Sequence, residues 1–175
     1  MAYIRLDNEL PGISGLLAHR RDTAKPLRDL AQTLLRGLSS LEVYERELIA
    51  TYVSHRNDCN FCKNSHGAAV DHLVGNTCLL DSVCTDFETA QISTKLKALL
   101  NIAGKVQQSG RAVKSEDIVR AKESGASDEE IHDAVLIAAA FCMYNRYVDG
   151  LGTHSSKERG DYVQSGERLA TVGYN

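Results

Sequence analysis

Residues 45–70 read ERELIATYVSHRNDCNFCKNSHGAAV, and this stretch decides the fold because it carries two consecutive helical patterns. Apolar residues recur at helical spacing up to about Arg56, and the pattern SSLE at 39–42 is a capping box that would open this first helix. The polar pair at 57–58 predicts a turn. A second helix is then expected to carry the cysteines and to continue to about residue 74, before a glycine.

Helical signals also fill the rest of the chain. We expect two short helices near 15–19 and 26–36, with Pro26 in the first turn of the second, and a polar tail after residue 152 that is loosely ordered or used in subunit contacts. The remaining expectations are a connection with at most one turn of helix at 76–92 and helices at about 93–108, 115–124 and 127–149, the last opened by a second capping box.

No segment alternates with the period of a β-strand, so the predicted fold class is all-α. The length of 175 residues suits a single helical domain. Within this domain, 1–175, we expect a core at 39–152 that carries the cysteines, N-terminal helices at 1–38 and the polar tail at 153–175. The apolar centre of the last long helix, at 134–144, predicts a helix in the middle of a bundle.

The bulk composition excludes several classes of function. A formal net charge of −3 and a pI near 6.1 predict no nucleic-acid partner. No apolar run approaches the roughly 20 residues of a membrane span, so no membrane partner is expected. The N-terminal residues include acids where a secretory signal needs basic residues and an apolar block. These features predict a cytoplasmic protein.

The central chemical feature is the CxxC motif formed by Cys59 and Cys62. Two thiols at this spacing can close a small disulfide ring, and the start of a helix favours the thiolate form. Zinc sites use the same spacing, so the motif alone leaves metal binding open. In a reducing compartment, an odd count of five cysteines favours metal or redox chemistry over a disulfide framework.

One face of the second helix brings the two thiols and an imidazole together. On a helical wheel they share an arc of about 100° with apolar residues. The members of this arc are Cys59, Cys62, His66, Ala69, Val70 and Leu73. Because His66 follows Cys62 by four positions, their side chains should be neighbours.

The preceding helix places a single carboxylate, that of Glu47, on an otherwise uncharged arc. A buried carboxylate needs a proton donor or a positive charge, and His66 on the next helix is the expected partner. His55 lies on the apolar side of the same helix and is predicted to be structural.

These residues predict a thiol peroxidase or disulfide reductase. Glu47 would orient and charge His66, which would withdraw a proton from a cysteine through a water molecule. The thiolate would attack a peroxide to give a sulfenic acid, the other cysteine would condense with it, and an external dithiol would restore the pair. The first attacking cysteine stays open, because the helix start favours Cys59 and contact with His66 favours Cys62.

The spacing Glu47-x11-Cys59-x2-Cys62-x3-His66 resembles the signature of the alkyl hydroperoxidase D-like (peroxidase-related) family, within the carboxymuconolactone decarboxylase-like superfamily. The segment 125–152, GASDEEIHDAVLIAAAFCMYNRYVDGLG, resembles the helical core that follows in that family. The resemblance implies a helical homo-oligomer (dimer, trimer or hexamer) and a peroxidase that needs no cofactor. It also implies that Glu47 and His66 form the proton relay and that Cys59 and Cys62 form the redox pair. The implied reductant is protein-bound dihydrolipoamide, and the implied partner is a peroxiredoxin.

The chain departs from this pattern at Phe61, where the peroxidase that defines the family has a histidine. This difference predicts a weaker or differently tuned peroxidase. The decarboxylase branch lacks the CxxC motif, so decarboxylation is not expected. Cys78 and Cys84 are predicted to be incidental, and Cys142 to be a small core residue.

Two readings from other classes stay open beside the enzyme. A metal-binding module would use Cys59, Cys62 and His66 with one outside ligand. A non-catalytic oligomer would keep the fold but have thiols with ordinary pKa values. The carboxylate of Glu47 favours the enzyme, because a metal site with these three ligands needs no relay carboxylate.

Overall fold

The computed structural model describes residues 2–174, which form nine α-helices and no β-strand. The helices are α1 (Gly12–His19), α2 (Arg21–Arg36), α3 (Val43–Arg56), α4 (Asn60–Val74), α5 (Cys78–Asp86), α6 (Thr94–Gln108), α7 (Ser115–Glu123), α8 (Asp128–Gly150) and α9 (Val163–Val172), with short 3-10 turns at Gly110–Ala112 and Arg159–Tyr162. The predicted all-α class is confirmed. Within residues 2–174, no helix is long and apolar enough to cross a membrane.

The core lies where α3, α6 and α8 pack together. Leu48 of α3, Leu99 of α6 and Ile137 of α8 are fully buried there. α8 differs from its prediction as a helix that is covered on every side, because Leu136 and Met143 are 38% and 42% exposed. One face of this apolar helix therefore remains at the surface of the chain.

The helix that carries the cysteines is built as the sequence predicts. α4 begins directly after Cys59 and ends at Gly75, whose φ of +67° is the left-handed conformation that a helix C-cap commonly adopts. Asp58 also has a positive φ, +57°, and this lets the chain turn sharply between α3 and α4. The two helices are thus held close together by the turn at 57–59.

Two helix starts differ from the sequence predictions. α3 begins after Glu42, whose N–H donates to the carboxylate of Glu45 at 2.9 Å, so the capping box lies one turn later than predicted. The hydroxyl of Ser39 instead donates to Asp133 at 2.7 Å. α2 begins at Arg21, which places Pro26 inside the helix rather than in its first turn. The amphipathic pattern extends to both sides of the proline, and its burial outweighs the one hydrogen bond that a proline cannot donate.

The connection at 76–92 contains more helix than predicted. α5 spans nine residues and buries Leu80 and Val83, whereas Cys78 is exposed. A helix of this length presents only two apolar turns, too few for a clear helical period in the sequence.

The polar tail is also more ordered than predicted, since its helix α9 packs directly on α4. The contact is so close that a Cβ on Gly166 would lie 2.5 Å from the Cβ of Ala68. The amide of Asn60 holds the preceding loop by donating to the carbonyl of Ser156 at 2.6 Å, and Arg159 forms an ion pair with Asp71. The tail therefore belongs to the same packed body as the cysteine helix.

Candidate functional site

The carboxylate of Glu47 is the centre of a buried polar cluster, and its side chain has no exposure to solvent. Its Oε2 lies 2.8 Å from Nδ1 of His66. Its Oε1 accepts hydrogen bonds from Nη2 of Arg36 at 2.6 Å and from the hydroxyl of Tyr174 at 2.5 Å. The structure thus brings together Glu47 and His66, as the two helical wheels led us to expect.

Four separate segments supply this cluster. Glu47 projects from α3, His66 from α4, Arg36 is the last residue of α2, and Tyr174 follows α9. Sequence reasoning missed Arg36 and Tyr174, because helical periodicity describes one helix at a time and does not show which distant segment covers a face. The signal that could have found Arg36 is the demand of a buried carboxylate for more than one donor.

The charges of this cluster favour an ionised Glu47. Burial alone would raise the pKa of this carboxyl, but the neighbouring His66 and the Arg36 guanidinium, together with the hydrogen bond from Tyr174, lower it below its usual value. An ionised carboxylate can only accept hydrogen bonds, so Nδ1 of His66 carries a proton and donates it to Glu47. The other ring nitrogen, Nε2, is then the one that can exchange a proton with the site.

The two cysteines of the motif lie against each other at the start of α4. Cys59 is fully buried and Cys62 is 3% exposed. The two thiols are close neighbours, and the amide of Asn145 on α8 also lies near the Cys62 thiol. Asn145 is itself buried, and its amide donates to Ser54 at 3.0 Å. Sequence reasoning gave Asn145 no role.

The Cys62 thiol departs from the prediction that a helix start lowers the pKa of a cysteine. Its hydrogen bond with Cys59 and, second, its burial raise the pKa of Cys62 well above the usual value, and contact with Asn145 lowers it only in part. The Cys59 neighbour and the loss of water together disfavour the thiolate more than the start of the helix favours it. Deprotonation of Cys62 consequently needs a nearby proton acceptor.

Two neighbouring cavities lie beside Cys62 and share part of their walls. The outer cleft holds about 690 Å³, and the inner cavity holds about 70 Å³ and is lined by both Cys62 and His66. The side chains that line both are Ile13, Leu17, Arg28, Phe61, His66 and Tyr174. Cys59 lines neither of them. Of the two thiols, Cys62 is therefore the one that a small molecule in these cavities would meet.

Phe61 stands where the two cavities join. Its ring packs against the backbone of Gly12, where a Cβ would lie 2.2 Å from the ring, and makes an edge contact with Tyr162 at 5.9 Å between centroids. It therefore adds apolar surface to the route and offers no proton. The imidazole of His55, by contrast, is partly buried and lines neither cavity.

The remaining cysteines are away from this route. Cys78 is exposed, and Cys84 is partly buried, which raises its pKa to about 11. Cys142 is partly buried and lies 3.6 Å from the amide of Asn57. None of the three lines either cavity.

The side chains of Cys59, Cys62 and His66 do not form a metal site. Among residues 2–174, no three His, Cys, Asp or Glu side chains come close enough to hold an ion together. Nδ1 of His66 is moreover engaged by Glu47.

Known structures resemble this chain over most of its length. An uncharacterized peroxidase-related protein from Silicibacter sp. TM1040 is 25% identical, with a TM-score of 0.79, over 87% of this chain and 78% of that one. The alkylhydroperoxidase AhpD core of a peroxidase-related protein from Ralstonia eutropha JMP134 is 26% identical, with a TM-score of 0.80, over 90% of this chain and 82% of that one.

A third structure is that of a protein of unknown function from Agrobacterium tumefaciens, whose name compares it with the antioxidant defence protein AhpD. It is 20% identical, with a TM-score of 0.70, over 82% of this chain and 97% of that one, and this likeness concerns the fold alone. No protein-family profile and no curated protein matches the chain.

Proposed function

We propose that this chain, which is similar to the alkyl hydroperoxidase D-like proteins in fold and motif, reduces organic hydroperoxides through a dithiol–disulfide cycle of Cys59 and Cys62. One observation carries the proposal: Cys62 and His66 both line the inner cavity, which shares walls with the outer cleft, and Cys59 is a direct neighbour of Cys62. A peroxide can reach one thiol, and the second thiol is already in place to react with the product.

The first step of the proposed cycle is proton removal from Cys62. Nδ1 of His66 donates its proton to Oε2 of Glu47, and the two atoms lie 2.8 Å apart. Nε2 is therefore free to accept the thiol proton, directly or through a water molecule. The imidazolium that forms is stabilised by the ionised carboxylate. The raised pKa of Cys62 makes this acceptor necessary at neutral pH.

The second step is attack on the peroxide. The Cys62 thiolate forms a bond to one peroxide oxygen, the O–O bond breaks, and the departing alkoxide takes the proton from His66 to leave as an alcohol. Cys62 is then a sulfenic acid. The Cys59 sulfur attacks it, an S–S bond forms, and the sulfenic oxygen leaves as water.

The cycle closes when an external dithiol reduces the disulfide and is itself oxidised to a disulfide. We propose protein-bound dihydrolipoamide as this reductant and a peroxiredoxin as a partner, in keeping with the family. The cycle uses the thiols of the chain itself, so the proposal includes no haem, flavin or metal.

The lining of the inner cavity favours an organic peroxide over hydrogen peroxide. Apart from Cys62, His66 and Arg28, its walls are aliphatic and aromatic. Hydrogen peroxide would have to give up hydrogen bonds with water in such a cavity, whereas an alkyl group would gain apolar contacts there.

We also propose that the chain forms a homo-oligomer. The exposed face of α8 presents Leu136 and Met143, which a second copy of the chain would cover. Sedimentation that gave a stable mass of 19.2 kDa at micromolar concentration, the mass of one chain, would count against this proposal.

Turnover with a chosen reductant tests the proposed function. Reduced protein is mixed with tert-butyl hydroperoxide and dihydrolipoamide, and peroxide loss is followed at pH 7. We expect continuous turnover that is faster than with hydrogen peroxide at equal concentration. The Cys59→Ser, Cys62→Ser double variant should have no more than the background rate, and equal rates for it and the wild type would refute the proposal.

A further inference from the structure

We infer that Tyr174 is a positioning residue of the Glu47–His66 relay, so that the C-terminal segment completes the site. Its hydroxyl lies 2.5 Å from Oε1 of Glu47 and 3.0 Å from Nδ1 of His66. It therefore touches both partners of the proton relay at their junction. The inference rests on the proposed function only for its activity readout.

The ring of Tyr174 makes a second contact with the relay. It stacks on the imidazole of His66 with 5.7 Å between centroids and 14° between planes. The guanidinium carbon of Arg36 lies 5.3 Å from the centre of the same tyrosine ring. The ring thus restricts the tilt of His66, and the hydroxyl fixes its Nδ1 edge.

Contacts with α2 and between α2 and α9 hold Tyr174 in this position. Its own N–H donates to Oε1 of Gln32 on α2 at 2.8 Å. Arg36 binds the carbonyl of Leu169 on α9 at 2.8 Å with the same nitrogen that binds Glu47. Gly173 turns the chain with a φ of +88°, and a Cβ there would meet Gln32 at 2.4 Å. The position of the tyrosine is therefore built by side chains and backbone together.

In this geometry the Tyr174 hydroxyl is the donor and Oε1 of Glu47 is the acceptor of their hydrogen bond. Burial and the charge of Glu47 raise the pKa of Tyr174 well above its usual value, so the hydroxyl stays protonated and donates to the carboxylate. The Nδ1 proton of His66 goes to the other carboxylate oxygen. Without the hydroxyl, Oε1 would keep only Arg36 as a donor, and the carboxylate would bind protons more tightly.

The expected consequence of losing the hydroxyl is that the pH dependence of the reaction moves to higher pH. A more basic Glu47 holds a proton on the Glu47–His66 pair to higher pH, and His66 then accepts the Cys62 proton only at higher pH. The other titratable or charged side chains that lie near this pair or line the two cavities beside it are Arg28 and Arg36 of α2, Arg46 of α3, Cys62 of α4, Tyr144 of α8 and Arg168 of α9, together with Glu9, His154, Asp161 and Tyr162. Tyr174→Phe leaves the identity of each of these side chains the same, so a shift of the pH dependence reports the lost hydroxyl.

The test uses Tyr174→Phe, which keeps the ring and removes the hydroxyl. Two profiles are measured between pH 5 and 9: kcat/KM for tert-butyl hydroperoxide, and the rate at which iodoacetamide alkylates Cys62 in the reduced protein. We expect the acidic limb of both profiles to move up by about one pH unit, which corresponds to a rate about tenfold lower on that limb.

Two further variants separate positioning from folding. Tyr52→Phe removes a buried hydroxyl that contacts Arg56 at 3.4 Å, away from the relay, and should leave both profiles in place. Tyr174→Leu removes the stacked ring as well and should lower the rate at every pH beyond the loss in Tyr174→Phe. Thermal unfolding of each variant reports its stability.

The outcomes distinguish this inference from the proposed function. If the wild type turns over peroxide but the Tyr174→Phe profiles overlie those of the wild type, the inference is overturned and the function stands. If the wild type consumes no peroxide but the alkylation profile still moves, the inference stands and the function fails. A rate loss in Tyr174→Phe that follows its melting temperature, with no movement of either limb, would assign the tyrosine a structural role and overturn the inference.

Discussion

Nδ1 of His66 donates to Oε2 of Glu47 across 2.8 Å, and these two side chains come from helices that a three-residue turn joins. The turn at 57–59 also contains the first cysteine of the motif. The same short connection therefore sets the position of the thiols relative to the imidazole and of the imidazole relative to its carboxylate. A backbone change in this turn would disturb both of these relationships.

Replacement of the relay carboxylate should slow the reaction without unfolding the protein. Glu47→Gln keeps the shape of the side chain but loses the negative charge that stabilises protonated His66. We expect kcat/KM to fall by about 10²–10⁴-fold, the usual range for loss of general acid–base catalysis. Because the buried Arg36 would lose its counter-charge, we also expect a lower free energy of unfolding, by about 3–5 kcal/mol.

A second buried carboxylate provides the matched control for this variant. Glu130 is 4% exposed, binds Lys95 at 2.7 Å and lines neither of the two cavities. Glu130→Gln should lower stability while its kcat/KM stays within about twofold of the wild type. Wild-type rates for Glu47→Gln across pH 5–9 would exclude the relay.

The two cysteines should respond differently to replacement by serine. In Cys59→Ser, Cys62 still lines the inner cavity, so one equivalent of hydroperoxide should leave a sulfenic acid on Cys62. Dimedone would trap this sulfenic acid, and mass spectrometry would locate it. In Cys62→Ser, peroxide should react with the buried Cys59 no faster than with an ordinary thiol. Dimedone adducts found instead on Cys59 of the Cys62→Ser variant, at wild-type speed, would reverse the assigned order of attack.

A histidine at position 61 should strengthen the peroxidase. Phe61→His places an imidazole where the two cavities join, next to Cys62, and adds a proton acceptor to a route that is otherwise apolar there. We expect a lower pKa for the Cys62 thiol and faster peroxide reduction. Phe61→Leu, which changes the shape but adds no acceptor, is the control and should bring no gain.

The same position tests the share of the rate that depends on His66. His66→Ala should remove most of the activity in the wild-type background and less in the Phe61→His background, where a second acceptor is present. If Phe61→His changed neither the thiol pKa nor the rate while His66→Ala stayed active, both assignments would be wrong.

Stability at alkaline pH should depend on Cys62. The pKa of this thiol is raised in the folded chain by its contact with Cys59 and by burial, so folding favours the protonated form. Its contribution is complete below the unfolded pKa of about 8.5 and is lost as pH rises through the folded value. Urea unfolding from pH 7 to 10.5 should show a steeper loss of stability for the wild type than for Cys62→Ala. Parallel curves for the two proteins would contradict the raised pKa.

The parts of the site that depend on one helix or on neighbouring helices were readable from the sequence. The CxxC spacing, the position of His66 and the uncharged arc around Glu47 follow from the helical period alone. The long helices α6 and α8 were also clear, because capping residues mark the start of each: Ser93 accepts from Leu96, and Ser127 from Glu130.

The parts that depend on distant segments were not readable. Tyr174 lies 127 residues from Glu47 along the chain, in a tail whose composition is that of a loosely ordered segment. Arg36 at the end of α2 looks like a residue that favours a helix C-terminus, and nothing local shows that its guanidinium enters the core. The neighbouring Cys59 thiol and, second, burial likewise reversed the expected pKa of Cys62, because a helical wheel does not show how closely two thiols pack or how dry a site is.

The most direct test of the account is the fate of the two motif thiols during one reaction. Reduced protein is treated with one equivalent of tert-butyl hydroperoxide, free thiols are counted, and peptides are mapped by mass spectrometry. The account predicts a loss of two of the five thiols per chain and a disulfide that joins Cys59 to Cys62. An unchanged thiol count alongside consumed peroxide, or a disulfide that joins other cysteines, would contradict it.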